Sequence, residues 1–295
     1  MADNGNFVCT ANYISDEGVI EWLKQRKGTT TDIFPIITKS GTPLWKEKFP
    51  PHKIERIKAD ALDWEGDYLC DPTTGKGKFF DIEKVKKALM YVKEPIKEVR
   101  GFKIWENYII GNKYALAGDT SEGIGLDSNA ATLINFTENA IIGVYHNNTI
   151  PPDDFGLELA NIGRLYGECL LAVEKNNTGH ATLSALKNAQ YGNLYHSTIV
   201  DQISDTRTKK IGWITNSKTK PIMFYDFKKD FEAGHIKIYS EELLNEMLHY
   251  TKADFANRTT SKVITRHFDL LTSACIAWQM KNEVHKQRGI KVTLL

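Results

Sequence analysis

Tyr114-Ala-Leu-Ala-Gly-Asp-Thr-Ser-Glu-Gly-Ile-Gly125 is the stretch around which the rest of the chain is organised. An apolar strand over 114–119 delivers one carboxylate, Asp119, into a turn of small residues, where backbone and acid can approach a metal ion or a phosphate closely. By itself Asp119 would do no more than cap a turn between strands. Its meaning depends on what the neighbouring segments bring to it.

Downstream the pattern is strongly α/β. Two apolar runs, Ala130 to Phe136 and Ala140 to Tyr145, are separated by Thr-Glu-Asn and suit a hairpin, so that three strands follow in sequence. Pro151-Pro-Asp-Asp154 opens a helix to about Gly167, with Phe155, Leu159, Ile162 and Leu165 at helical spacing. Cys169 to Val173 is a short, wholly apolar run of the kind buried on both faces of a sheet, and it ends in Glu174. Glu174 precedes a polar loop that feeds a helix over 178–188, a place where open α/β sheets put functional groups.

Tyr195 to Trp213 predicts an extended hairpin with a polar, basic loop at Asp205 to Lys210. Between Arg207 and Lys229 there are seven Lys or Arg residues against one acid, Asp226, interleaved with Trp213, Phe224, Tyr225 and Phe227. Arg207, Lys209, Lys210, Lys218 and Lys220 are the candidates for phosphate contacts, while the Lys228-Lys229 pair belongs to an amphipathic helix that begins near Lys220-Pro221. A short strand at 236–239 and a helix at 241–250 follow, the helix with Ser240 as N-cap. The last helix, about His267 to Lys286, carries Asp269 in its first turn beside a broad apolar face.

Upstream of Tyr114 the signals are weak. A helical pattern runs from Ser15 to Arg26, short helices are expected over 52–62 and 81–93, and prolines with a Thr-Thr-Gly-Lys-Gly run mark the intervening chain as connector. Gly75-Lys-Gly-Lys is not a phosphate loop, because no Gly-x-x-x-x-Gly-Lys-Ser/Thr occurs in the chain. The expected division is an irregular N-terminal segment with connector, 1–110, and a catalytic-type domain, 111–295.

Across 295 residues, 38 basic and 37 acidic side chains leave a net charge of +1, so nucleic-acid binding must rest on local patches. Four scattered cysteines without a Cys-x-x-Cys pair disfavour a zinc site or disulfide framework. With no membrane-length apolar run or signal peptide, a cytoplasmic protein without membrane contact is expected.

Asp119 closing a first strand, Glu174 closing a fourth and Asp269 on a late helix reproduce the order of acids in ribonuclease H-like enzymes. Such a set holds two divalent metals about 4 Å apart across a scissile phosphate. Carboxylates suit that task because Mg²⁺ and Mn²⁺ prefer hard oxygen ligands.

The sequence resembles the nuclease domain of the large terminase subunit of tailed double-stranded DNA phages. The matching pieces are Leu116-Ala-Gly-Asp-Thr-Ser-Glu-Gly, Val173-Glu-Lys-Asn-Asn-Thr-Gly-His-Ala, Gly212-Trp-Ile-Thr-Asn-Ser-Lys-Thr-Lys-Pro and His267-Phe-Asp-Leu-Leu-Thr-Ser-Ala, in the family's order. Trp45 with Phe49, Tyr68-Leu-Cys-Asp-Pro and Phe79-Phe80 are similar to the family's connector between its ATPase and nuclease domains. The resemblance implies a ribonuclease H-like fold, with a central mixed sheet and helices on both faces. It implies a divalent-metal-dependent endonuclease that cuts concatemeric viral DNA during genome packaging, with Asp119, Glu174 and Asp269 as catalytic metal ligands for two Mg²⁺ or Mn²⁺ ions. Thr120, Asn177 and His267 would stand behind them. The implied partners are double-stranded DNA, a packaging ATPase, a small terminase subunit and a portal.

Two departures stand out. The family often has two adjacent acids where this chain has Phe268-Asp269, and the family's P-loop motor is absent, as in an excised piece or a separately encoded nuclease. Other readings of the same residues are a non-catalytic DNA-binding packaging protein, a resolvase or transposase, and an actin-like or sugar-kinase ATP site.

Overall fold

The computed structural model describes residues 34–38, 40–60, 77–121, 128–175, 178–200, 207–256 and 267–286. The predicted helix at Ser15 to Arg26 lies outside them. The chain divides into two units, residues 1–82 with 248–265, and residues 83–247 with 266–295.

In the first unit, α1 (Pro51–Asp60) buries Ile54 against Ile36, with Ile37, Phe49 and Ile57 around them. Phe79 stacks edge-on against Phe80 and Tyr250, with ring centroids 5.1 and 5.5 Å away, and tilts against Phe255. Thr251 and Asp254 cap each other reciprocally at the start of a one-turn helix over 252–255.

The second unit holds the sheet. Its strands are β1 (Lys97–Val99), β2 (Phe102–Ile104), β3 (Tyr114–Asp119), β4 (Asn129–Asn135), β5 (Ala140–Asn147), β6 (Leu170–Val173) and, beyond the hairpin of β7 (His196–Val200) and β8 (Arg207–Ile211), β9 (Lys237–Ile238). The order is β1-β2-β5-β4-β3-β6, with β9 also on β5. The β3–β6 and β5–β9 pairs are parallel and the others antiparallel, which makes the sheet mixed. The meander read from Tyr114 onward is β3, β4 and β5. Residues 97–104 add two strands that sequence periodicity does not show.

Helices cover both faces. On one face α3 (Pro152–Leu165) and α4 (Gly179–Asn188), which follow α2 (Ile82–Leu89), pack with the inward side chains Tyr114, Leu116, Leu133, Leu171 and Val173. On the other lie α5 (Thr219–Glu232) and, after α6 (Glu241–His249) and the one-turn α7 (Lys252–Phe255), the long α8 (Asp269–Gln279). Helix α8 is buried along nearly its whole length, and Ser273 meets Thr132 of β4 at 2.7 Å between hydroxyls. The last predicted helix is two, because α9 (Lys281–Lys286) starts after a break at Met280.

Side-chain alternation and register position the acids. Tyr114, Leu116 and Gly118 face α3, so Ala115, Ala117 and Asp119 face α8. A Cβ on Gly118 would come within 2.9 Å of the Leu159 side chain and 3.2 Å of Phe155, so helix and strand are in close contact behind Asp119. In β6, Leu171 and Val173 face α3, so Glu174 faces α8. Because Gly118 pairs with Val173 in parallel register, Asp119 and Glu174 come side by side.

Candidate active site

The three acids sit on different elements and meet at one end of the α8 face. Glu174 is fixed by backbone hydrogen bonds on both sides: its N–H donates to the Gly118 carbonyl at 2.9 Å, and the Lys175 N–H donates to Trp213 at 2.7 Å. Trp213 follows Gly212, whose φ of +92° and close approach to the Val173 carbonyl leave no room for a side chain. The β7–β8 hairpin is thereby rooted beside Glu174.

Asp119 takes an N–H from Thr120 and hydrogen-bonds with Glu174, and its carboxyl is held well above the usual carboxylate range. Burial is the main cause, followed by the charge of Glu174, the Glu174 hydrogen bond and the charge of Asp269. Asp269, first residue of α8, accepts the Ser128 N–H at 2.9 Å. Each acid therefore senses or touches another element of the same cluster.

Thr120 and Thr178 join the loops that follow β3 and β6: their hydroxyls lie 3.1 Å apart and the Thr178 hydroxyl donates to the Thr120 carbonyl at 3.0 Å. His267 stands partly exposed two residues before Asp269, and Asn177 lies outside the described residues. Lys209 and Lys210 are exposed on β8, and Arg207 begins that strand. Residues 207–210, expected in a loop, form the returning strand instead, paired with Ser197 to Val200. Lys218 is exposed and Lys220 partly buried at the start of α5, where the Asn216 side chain accepts the Lys218 and Thr219 N–H groups.

Three residues that the sequence did not single out complete the surroundings. A register shift in the β4–β5 pair puts His146 opposite Ala130, which itself pairs with Asp119, so His146 shares the α8 face. Glu242 of α6 contacts His146 Nδ1 at 3.2 Å and Lys103 Nζ at 2.8 Å. Hydrogen bonding to His146, aided by Lys103, lowers the Glu242 carboxyl to about 2, and the same bond raises the His146 imidazole. One helical turn on, Glu246 reaches the start of α8, and burial pushes its carboxyl up to about 8 despite hydrogen bonds from backbone N–H groups. The i, i+4 spacing of Glu242 and Glu246, flanking the apolar stripe of α6, is the signal that could have found them.

Among the described residues no three His, Cys, Asp or Glu side chains already close around one point as a metal cage. The donor chemistry nonetheless fits a hard divalent cation: three oxygen donors of like charge share one end of one face, and a cation would relieve the repulsion that raises the Asp119 carboxyl.

Comparison with solved structures bears on the fold. The large terminase nuclease of thermophilic phage G20c with bound magnesium superposes with a TM-score of 0.50 at 15% identity, covering 70% of this chain and 98% of that one. The same nuclease with bound cobalt gives a TM-score of 0.50 at 16% identity over the same shares. The chain has a terminase nuclease-like fold. No protein-family model matches it, and no curated protein does. Among the described residues no helix is long and apolar enough to cross a membrane.

Proposed function

We propose that this terminase nuclease-like domain is a divalent-metal-dependent DNA endonuclease of viral genome packaging, acting in the host cytoplasm. The observation that carries this reading is the convergence of Asp119, Glu174 and Asp269, from two adjacent parallel strands and a helix N-terminus, on one end of the α8 face. Mg²⁺ or Mn²⁺ held by these three carboxylates, as two ions, would supply the Lewis acidity and the activated water for phosphodiester hydrolysis.

The chain's own groups do the rest. Paired strands set the spacing of Asp119 and Glu174, and Ser128 orients Asp269. Thr120 and Thr178 tie the two acid-bearing loops together. Arg207, Lys209, Lys210, Lys218 and Lys220 would guide the backbone of double-stranded DNA, an interaction that confers affinity without sequence preference. The root of the hairpin that carries Arg207, Lys209 and Lys210 lies beside Glu174 and supports that role. The nuclease domain, expected over 111–295, is read as the sheet-bearing unit of 83–247 with 266–295, since β1 and β2 bring residues 97–104 into its sheet, and the segment before it is read as the connector toward a packaging ATPase; a small terminase subunit and a portal complete the proposed partners.

The test is cleavage of supercoiled plasmid in Mn²⁺, Mg²⁺ or EDTA by the wild type and Asp119→Ala. Metal-dependent nicking and linearisation, abolished in the variant, is the expected result. DNA binding without cleavage by well-folded wild type in either metal would overturn the nuclease reading in favour of a DNA-binding packaging protein.

A further inference from the structure

Helix α8 opens without a cap of its own. The residue before it, Phe268, is buried and makes no side-chain capping bond, so the first N–H groups of the helix need acceptors from elsewhere. Glu246 of α6 provides them. Its Oε2 accepts the Leu271 N–H at 2.7 Å, and its Oε1 takes the Leu270 N–H in a longer contact of 3.4 Å. When ionised, the Glu246 carboxyl also complements the positive end of the helix dipole.

The residue just ahead of those two N–H groups is Asp269, whose own Oδ2 accepts from Ser128. Its backbone is thus pinned from α6 while its side chain is pinned from the chain entering β4. We propose that Glu246 is a positioning residue for Asp269, fixing the first turn of α8 so that the Asp269 carboxylate faces Asp119 and Glu174. The inference rests on Asp269 serving as a metal ligand, and it places the control of that ligand on a helix that contributes no ligand itself. Partners standing behind metal ligands in this way typically set 10–100-fold of metal affinity or activity.

The experiment compares wild type, Glu246→Ala and Glu246→Gln by two readouts. Amide hydrogen exchange at Ser128 reports whether Asp269 still holds its acceptor position and needs no metal. Calorimetric titration with Mn²⁺ reports the site itself. Removing the carboxylate should speed Ser128 exchange about tenfold or more and weaken Mn²⁺ binding by about 10–100-fold, with cleavage recovered at high Mn²⁺. The Gln variant, which keeps one acceptor oxygen, should fall between.

Glu246→Ala with a lower melting temperature but wild-type Ser128 exchange and Mn²⁺ affinity would overturn the proposal and leave Glu246 a helix cap. If the Ala variant does not fold, wild-type values for both readouts in the Gln variant overturn it equally. Should wild type bind no Mn²⁺ while Ser128 exchange still responds to Glu246, the positioning stands and the nuclease reading falls.

Discussion

Replacing Asp119 by Asn should stabilise the protein in EDTA and abolish its response to Mn²⁺. The Asp119 carboxyl is held well above its ordinary value of 3.8 by burial and by two like-charged neighbours. A carboxyl raised in this way contributes stability fully below its unfolded value and loses it as pH rises through the folded value. At pH 8 the wild type therefore carries a penalty that is absent at pH 4. Two unit charges about 4 Å apart repel by about 1 kcal/mol in water-like surroundings and about 4 kcal/mol at an effective dielectric constant of 20. Asparagine removes one charge, still accepts the Thr120 N–H and can donate to Glu174. A midrange gain of about 2 kcal/mol corresponds to a rise of about 4–8 °C in Tm for a domain of this size. On the proposed function, Mn²⁺ at a hundred times its Kd should add about 2.7 kcal/mol to the wild type. Asp119→Asn should gain far less, so the order of the two proteins narrows or reverses. Scanning calorimetry from pH 4 to 8, in EDTA and in Mn²⁺, measures both effects. An Asn variant no more stable than wild type in EDTA at pH 8, or one that Mn²⁺ still stabilises fully, would refute the account of the acid cluster.

Three further outcomes are expected. Gly118→Ala drives a methyl to within 2.9 Å of Leu159 and 3.2 Å of Phe155, so it should cost about 1–3 kcal/mol and reduce cleavage through the adjoining Asp119, with an unchanged Tm telling against that packing. Glu242, lowered to about 2 by His146 and Lys103, stabilises the fold above pH 4.5 and loses this as pH falls through 2, while the raised His146 stabilises below its ordinary 6.5 and loses this as pH rises further; Glu242→Gln should therefore be most destabilising between these limits, by under about 1 kcal/mol since the Glu242 side chain is 38% exposed and screened by solvent, and a pH-independent Tm difference would contradict the pairing. Changing Arg207, Lys209 and Lys210 together to Ala should weaken DNA binding for all sequences alike and flatten the salt dependence by about 0.9 log units for each phosphate no longer neutralised; binding and cleavage unchanged at moderate salt would remove the hairpin from the DNA path.

Periodicity made two of the acids legible, and topology made them a site. The run Tyr114 to Asp119 and the run ending at Val173 each show where a strand ends and an acid begins, but nothing local says that the two strands are neighbours. That follows from the parallel register of Gly118 with Val173, which puts residues 55 positions apart side by side. Asp269 was legible because a carboxylate in the first turn of an apolar helix is a local pattern. The strands at 97–104 were not, since three-residue strands containing Lys and Glu are too short for alternation to register. His146 was hidden for a different reason: its face depends on the register shift in the β4–β5 pair, and an extra residue there reverses which side chains point toward α8. Glu246 acts wholly across space, satisfying the backbone of a helix that begins 23 residues later at Asp269, where the adjacent Phe268 cannot. The apolar Phe268 beside Asp269 thus has a structural consequence. With an apolar residue at that position the helix start needs an acceptor from outside, and α6 brings one to the same end of the same face as the three acids.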